Sequence, residues 1–189
     1  MFYTVAKRVL DIVVSIVAII VLSPFMIVIA LAIKLYDGGP VFYDAPPRVG
    51  KDGKFFKMYK FRSMIPNAHV KMRNDPAFAD LVEKWKKNQG KLKVDEDPRI
   101  TPVGRIIRKT DIDEAAQFFN VLKGEMSVVG PRACFRDELD EYIEEFPIVK
   151  EYSDTSTTVK PGITGPWQVS GRNNLPIPER FKLDAQYAQ

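Results

Sequence analysis

Hydrophobic residues along the chain form one long uninterrupted run and several short periodic stretches. The run from residue 12 to residue 33 carries no charge. At about 1.5 Å per residue it is long enough to cross the hydrocarbon layer as one helix. Ser23 and Pro24 lie at its middle, where proline removes a backbone donor and kinks or breaks a helix. The pattern predicts either a kinked transmembrane helix or a re-entrant hairpin broken at Ser23-Pro24.

Basic residues flank this run on both sides. Lys7 and Arg8 precede it, and Lys34 opens a second basic segment after it. Because positive charge marks the cytoplasmic side of a membrane segment, two basic flanks favour the re-entrant hairpin, which returns both ends to the same side. Asp11, at the edge of the run, is expected to pair with a basic neighbour, since an unpaired charge there is costly.

Residues 41–62 have the pattern of a β-hairpin or ribbon. Two extended stretches flank the turn-prone sequence Gly-Lys-Asp-Gly at 50–53. In the second stretch Lys60 and Arg62 share a strand face, because side chains alternate along a strand. That face predicts either an anion site or a basic edge turned toward solvent or lipid headgroups.

Two further stretches show helical periodicity. Residues 76–87 predict an amphipathic helix whose Trp85, flanked by lysines, suits either a membrane interface or a core. Residues 135–146 predict a second amphipathic helix with an acidic outer face, which argues against contact with anionic lipid. Residues 88–98 are polar and predict a loop.

The central stretch, residues 105–132, carries the candidate chemistry. Thr110 is a good N-cap, an acid follows at Asp113, and Gly124 is a typical helix end, so a helix is expected between Thr110 and Gly124. Asp113 and Glu114 are then adjacent carboxylates in its first turn. The ordinary interpretation is capping and dipole compensation. The functional one is a divalent cation and a phosphate held together, or a carboxylate nucleophile that attacks phosphorus.

Arginines and lysines surround that acidic pair in sequence. They can bind phosphate oxygens, and they comprise Arg105, Arg108, Lys109 and Arg132. Further on, residues 160–172 are dense in glycine and proline and include Trp167. Such a stretch predicts a rigid loop that either frames a nucleotide or simply connects two elements.

Composition narrows the classes of function. The 189 residues are 46% hydrophobic, which suffices for one domain beside the apolar run. A single cysteine, Cys134, excludes an internal disulfide, and a single histidine, His69, disfavours histidine-based triads and zinc sites. The net charge of +4 suits anionic lipid, nucleotide or phosphorylated substrates. A nucleic-acid binder is disfavoured, because neither a helix-turn-helix nor an aromatic-basic RNA motif is recognisable.

The ordered set of motifs resembles the bacterial sugar transferase family, whose members initiate glycan synthesis on polyprenyl phosphate. Each motif alone is modest, but the set covers nearly the whole chain in order. The matching residues are AKRVLDI with Ser23-Pro24, KMYKFRSM at 57–64, RKTDIDEAAQFFNVLKGEMSVVGPR at 108–132, and VKPGITGPWQVSGRNN at 159–174.

This resemblance implies an α+β monotopic membrane protein. Its expected parts are a re-entrant membrane helix-hairpin over residues 1–36 and a catalytic domain over residues 37–189, with interfacial amphipathic helices and a small β-hairpin. The implied location is the bacterial inner membrane, with the catalytic domain on the cytoplasmic face. The implied reaction transfers a sugar 1-phosphate from a UDP-sugar to undecaprenyl phosphate, releases UMP and uses Mg²⁺.

The resemblance also implies roles for individual residues. Asp113 is expected to be the nucleophile and a metal ligand, and Glu114 to complete the dyad and bind metal. Substrate and phosphate binding is expected from Lys60, Arg62, Arg108, Pro131, Arg132, Pro161, Gly162, Thr164, Gly165, Gln168 and Arg172. Hexose-transferring members resemble the chain most, so galactose or glucose is the expected sugar, and a homo-oligomer is possible.

Three features depart from the family pattern. Ala115-Ala116 replaces the usual Leu-Pro after the acidic pair, Ala133 replaces a proline, and the chain ends at Gln189 where relatives continue with an apolar segment. The alternative function is therefore a membrane-anchored regulator that binds nucleotide-sugar or lipid without turnover.

Overall fold

The computed structural model describes residues 2–88 and 92–189 and shows a mixed fold of helices with two small sheets. The helices are α1 (Phe2–Asp37), α2 (Ala68–Asn74), α3 (Ala79–Lys87), α4 (Pro102–Arg108), α5 (Gln117–Lys123), α6 (Arg136–Glu145), α7 (Ile148–Ser156), α8 (Pro166–Ser170) and α9 (Ile177–Ala188). The strands are β1 (Arg48–Val49), β2 (Phe55–Phe56), β3 (Ser127–Val129) and β4 (Gly162–Thr164). Short 3₁₀ turns cover Lys51–Gly53, Pro76–Phe78, Ile112–Glu114 and Arg172–Asn174.

Contacts divide the chain into two compact units. Unit 1 combines residues up to Ile20 with Pro46–Met58 and Gln117–Gln189, and unit 2 combines Val21–Ala45 with Tyr59–Ala116. Helix α1 contributes its first half to unit 1 and its second half to unit 2. The expected division into residues 1–36 and 37–189 concerns membrane and catalytic roles, and it stays a prediction.

Unit 1 contains both sheets. Strands β1 and β2 form an antiparallel hairpin around the turn at Lys51–Gly53, which confirms the predicted hairpin in a shorter form. Strands β3 and β4 pair in parallel, with Ser127 opposite Gly162. A Cβ atom on Gly162 would lie 2.1 Å from the Gly130 nitrogen, so this pairing requires glycine. The buried apolar core comprises Val49, Phe56, Val121, Met126, Ala133, Cys134, Leu139, Tyr142, Val149 and Ile177.

The first turns of α1 form polar contacts with the rest of unit 1. Asp11 is buried and accepts hydrogen bonds from Ser127 Oγ at 3.0 Å and from the Val128 nitrogen at 2.9 Å. Lys7 pairs with Asp11 at 3.9 Å, which confirms the predicted basic partner. Arg8 donates instead to the Val121 and Leu122 carbonyls. These carbonyls end α5, where a cation is favoured.

Unit 2 is built on the second half of α1. Met26, Ile29 and Ile33 of α1 share one buried core with Phe61, Ile107, Ala115 and Ala116. Helix α4 lies against the Ser63 backbone, and a Cβ on Gly104 would lie 1.9 Å from the Ser63 oxygen. This close approach fixes α4 beside the segment that carries Lys60.

Helix α1 is long and apolar enough to cross a membrane, judged by length and composition, with a mean hydropathy of 3.1 over its most apolar window. Only 17% of that window is buried, which disfavours the core helix of a soluble protein. The helix is continuous through Ser23 and Pro24. The re-entrant course predicted from these two residues has no support in this helix and stays a prediction.

Several expected elements differ from the structure. The helices predicted at 76–87 and 135–146 are confirmed as the 3₁₀ turn at Pro76–Phe78 with α3 and as α6. The stretch at 160–172 was expected to be a loop, but it contains β4 and α8, because Pro166 starts a helix at its first turn. The strand expected over residues 54–62 is only β2 and a bridge between Phe42 and Phe61. Part of the predicted loop at 88–98, residues 89–91, lies outside the described residues.

Candidate active site

The two adjacent carboxylates lie in unit 2, in the 3₁₀ turn Ile112–Glu114. The helix expected to begin at Thr110 is wrong in its start: α5 begins only at Gln117, and Gly124 ends it with φ of 85°. Thr110 Oγ1 donates to the Ile107 carbonyl and is not a cap for the carboxylate turn. Asp111 takes the left-handed conformation, with φ of 52°, and separates α4 from this turn.

Asp113 is almost completely enclosed, with 1% of the residue exposed. Lys60 Nζ lies 3.1 Å from its Oδ2. The geometry of this ion pair does not provide a hydrogen bond, so Oδ2 is a buried oxygen without a hydrogen-bond donor among the described residues. Burial raises the pKa of Asp113, and Lys60 opposes that rise. The net upward direction shows that desolvation is the larger effect.

Lys60 connects both members of the dyad. Its ammonium group donates to Glu114 Oε1 at 2.9 Å while it pairs with Asp113. The neighbouring backbone holds it there, because the Phe61 nitrogen donates to the Asp113 carbonyl at 2.9 Å. Lys60 and the dyad are separated by more than fifty positions in the sequence and form one charged cluster in the structure.

Arg108 and Arg62 have different surroundings. Arg108, at the end of α4, donates to Ser63 Oγ at 2.8 Å, and its charge is a small contribution that opposes the rise in the pKa of Asp113 caused by burial. The structure therefore brings Arg108 into the electrostatic environment of the dyad. Arg62 is buried, and its guanidinium donates to Asp37 and to the Pro40 carbonyl. These contacts give Arg62 a structural role, and phosphate binding by it stays a prediction without support.

The residues next to the dyad belong to an apolar core that also includes residues of α1. Ala115 and Ala116, the residues that follow Glu114, are 6% and 0% exposed and belong to the core that includes Met26 and Ile33. The small side chains at these two positions fit a tightly packed site. The residues that directly follow the carboxylates therefore pack against the second half of the long apolar helix.

The donor set fits a magnesium ion shared with substrate. Among the described residues, no group of three or more acidic, histidine or cysteine side chains is arranged to hold a metal. Mg²⁺ is commonly bound by one or two carboxylates together with substrate phosphates. The buried Asp113 oxygen that lacks a donor, with Glu114 beside it, matches that requirement.

The remaining predicted residues belong to unit 1. The Pro131 carbonyl accepts from the Gly162 nitrogen at 2.8 Å, the Pro161 carbonyl accepts from Ser127, and the Thr164 carbonyl accepts from Gly130. These contacts place Pro131, Pro161, Gly162 and Thr164 along the parallel β3–β4 pair. Gly165 precedes α8, Gln168 lies within it, and Arg172 follows it with φ of 50°. Arg132 lies over the ring of Trp167.

Sequence patterns did not identify two residues that hold this site. Ser63 binds Arg108 and supports α4 through its backbone, and Asp37 neutralises Arg62. A serine after a basic segment and an aspartate at a helix end are common, so neither position carried a local signal. Each acts through a partner at least 25 positions away in the sequence.

Comparison with known proteins identifies the family of this chain. A sequence profile of the bacterial sugar transferase family matches residues 2–189. The chain belongs to the bacterial sugar transferase family. This membership confirms the resemblance drawn from the ordered motifs.

Three relatives in this transferase family illustrate the similarity. The undecaprenyl-phosphate galactose phosphotransferase of Salmonella typhimurium is 44% identical over 97% of this chain. The exopolysaccharide production protein ExoY of Rhizobium meliloti is 38% identical over 97% of the chain, and the galactosyl transferase CpsE of Streptococcus agalactiae is 40% identical over 98%. The chain spans 36% of the Salmonella protein, 77% of ExoY and 38% of CpsE.

Proposed function

We propose that this protein transfers a sugar 1-phosphate from a UDP-sugar to polyprenyl phosphate and releases UMP, as the first membrane step of a surface glycan. The single observation that carries the proposal is the enclosed Asp113 carboxylate, paired with Lys60 and followed by Glu114. Names of relatives support the substrate class, since they include an undecaprenyl-phosphate galactose phosphotransferase and a UDP-glucose:undecaprenyl-phosphate glucose-1-phosphate transferase. Galactose or glucose is accordingly the proposed sugar.

In the first step an Asp113 oxygen attacks the β-phosphorus of the donor. A bond forms between that oxygen and phosphorus, the bond from phosphorus to the bridging oxygen breaks, and UMP leaves with the electron pair. The sugar phosphate then remains on Asp113 as an acyl phosphate. The Lys60 ammonium and the Arg108 guanidinium offset negative charge that develops on the phosphoryl oxygens.

In the second step a phosphate oxygen of the polyprenyl phosphate attacks the same phosphorus. The bond to Asp113 breaks, the carboxylate is regenerated, and the sugar is left on a polyprenyl diphosphate. Two separate steps avoid bringing two anionic phosphates together at once. Bound Mg²⁺, held by Asp113 and Glu114, would supply further charge neutralisation at the phosphates.

The same architecture supports membrane association as part of the proposal. Helix α1 is apolar and largely exposed, and its second half forms part of the core beneath the dyad. A membrane-embedded α1 would present the carboxylates to a lipid phosphate at headgroup depth, which supplies the positioning contribution to catalysis. We propose a location in the bacterial inner membrane with the catalytic residues on the cytoplasmic face.

Intact-protein mass measurement tests the covalent step. Purified protein incubated with Mg²⁺ and a panel of UDP-sugars, without lipid acceptor, is expected to gain one sugar phosphate and to release an equal amount of UMP. The donor that gives the adduct identifies the sugar. Binding of a UDP-sugar by folded protein with neither adduct nor UMP release, even after addition of polyprenyl phosphate, would support the binding-regulator alternative.

Membrane topology can be tested with a cysteine at position 2. Cys134 is buried, and burial raises the pKa of its thiol to about 12, so a new Phe2→Cys thiol should react selectively with maleimide. A re-entrant helix predicts that an impermeant maleimide leaves Cys at position 2 unlabelled in intact cells and labels it after lysis. Labelling from outside intact cells would exclude the re-entrant course and favour a spanning helix.

A further inference from the structure

In unit 2, the turn that follows α1 encloses the guanidinium of Arg62, a residue that is 2% exposed. Asp37, the last residue of α1, accepts two hydrogen bonds from it, one of them 2.7 Å long, and the Pro40 carbonyl accepts a third. A Cβ atom on Gly39 would lie 2.9 Å from Arg62 Nη2, so glycine leaves room for this group. Among the described residues, Asp37 is the carboxylate that pairs with Arg62, in the two-pronged form that arginine favours.

The segment that carries Arg62 also carries Lys60. The Tyr43 nitrogen donates to the Lys60 carbonyl at 2.8 Å, and the Arg62 nitrogen donates to the Val41 carbonyl at 2.9 Å. Both bonds belong to one antiparallel pairing of the two segments. A displacement of Arg62 would therefore reach Lys60 through the backbone of two residues.

The contacts of Lys60 depend on where its backbone is held. A lysine side chain is a compact charge on a flexible four-carbon stem. The Lys60 ammonium lies 3.1 Å from Asp113 Oδ2 and 2.9 Å from Glu114 Oε1. The side chain is 20% exposed, so water competes for the ammonium. The position of the backbone consequently decides whether both carboxylates stay within its reach.

We infer that Asp37 is a positioning residue, which holds Lys60 between Asp113 and Glu114 by fixing the guanidinium of Arg62. An unpaired buried guanidinium is costly, so loss of the Asp37 carboxylate would move Arg62 toward water and its segment with it. A misplacement of about 1 Å can reduce a rate about 100-fold. The effect of Asp37 on the reaction rests on the proposed function, in which Lys60 offsets charge on phosphoryl oxygens.

A double-mutant cycle tests this role. Asp37→Asn is nearly isosteric and keeps an oxygen that can accept from the Gly39 nitrogen, as Asp37 Oδ1 does at 3.0 Å, but it removes the charge that pairs with Arg62. The maximal rate of adduct formation should fall about 10- to 100-fold. The donor concentration for half-maximal rate should change little, because Lys60 acts on charge that develops in the transition state. In the Lys60→Gln background, Asp37→Asn should change the rate by no more than about 2-fold.

Two further variants complete the comparison. Asp37→Glu keeps the charge and should recover part of the rate, and it carries the same cycle if Asp37→Asn does not fold. Asp80→Asn, which removes an exposed acid of α3 in the same unit, is the matched control and should leave the rate unchanged. An equal loss from Asp37→Asn with and without Lys60 would overturn the inference, since Asp37 would then act on the unit as a whole. An unchanged rate in Asp37→Asn would overturn it as well.

Amine labelling of Lys60 separates this inference from the proposed function. Acetylation by an amine-reactive ester, followed by peptide mass measurement, needs no turnover. In the unchanged protein Lys60 should react more slowly than Lys109, an exposed lysine of the same unit. In Asp37→Asn the labelling of Lys60 relative to Lys109 should rise several-fold, because the ammonium is no longer held between two carboxylates.

The labelling result decides the positioning role whether or not an adduct forms. Increased labelling of Lys60 in Asp37→Asn, in a protein that forms no adduct with any UDP-sugar, would leave the role of Asp37 standing and refute the covalent step. Equal labelling of Lys60 in Asp37→Asn and the unchanged protein would refute the positioning role.

Discussion

Replacing Asp113 with asparagine is expected to abolish turnover, with a loss of about 10⁴-fold or more, because an amide oxygen cannot replace a carboxylate nucleophile. The change keeps the size of the side chain in a site where only 1% of the residue is exposed. Adduct formation and UMP release are the measurements. No sugar phosphate should remain on the protein at any donor concentration.

The Asp113→Asn protein should remain folded. Burial raises the pKa of Asp113, which means that the ionised carboxylate destabilises the folded state at neutral pH. A neutral amide removes that penalty, so the thermal midpoint should be unchanged or higher. Slow maleimide labelling of buried Cys134 gives a second check of folding. Asp140→Asn, at an exposed acid, is the matched control and should retain full activity. Near-normal turnover in Asp113→Asn would refute the nucleophile assignment.

Replacing Lys60 with glutamine is expected to slow adduct formation about 10²- to 10³-fold, the usual effect of removing one preorganised charge from a phosphoryl or oxyanion site. Lys60 is the ion-pair partner of both Asp113 and Glu114. Lys60→Arg should recover part of the rate, because it restores the charge. Lys150→Gln, which removes an exposed lysine paired with Asp154, should have no effect.

The pH dependence distinguishes an electrostatic role of Lys60 from a structural one. Adduct formation needs ionised Asp113, so its rate is full above the raised pKa of that carboxyl and falls as pH is lowered through it. Lys60 holds this pKa below the level that burial alone would give. In Lys60→Gln the acidic limb should therefore move to higher pH at the same Mg²⁺ concentration. A slower rate with an unmoved limb would indicate a structural role only.

Local signals predicted the elements whose patterns are complete within a few residues. The β1–β2 hairpin surrounds a glycine-bounded turn, and α6 has apolar residues at helical spacing with an acidic outer face. Each pattern includes the residues that begin the element, form its buried face and end it. The length and composition of the apolar run were likewise sufficient to predict α1 without tertiary information.

Local patterns could not predict contacts between residues that are far apart in the sequence. The parallel β3–β4 pair joins Ser127 to Gly162, and the Lys60 contact joins the segment after β2 to the dyad. No local periodicity encodes a partner so far along the chain. The dyad was predicted from its residues, but its conformation was not. Thr110 is a residue type that often caps a helix, yet its side chain donates to the preceding Ile107 carbonyl. Asp111 takes the left-handed conformation, and the dyad follows in a 3₁₀ turn.

The contacts of α1 distinguish this helix from an arbitrary apolar segment of the same length. Its first turns supply Asp11 and Arg8 to backbone groups of unit 1, and its second half supplies Met26 and Ile33 to the core of unit 2. A foreign helix of equal length and hydropathy would provide none of these contacts. Chimeras and soluble fragments of this protein therefore need to retain the face of α1 that bears these residues.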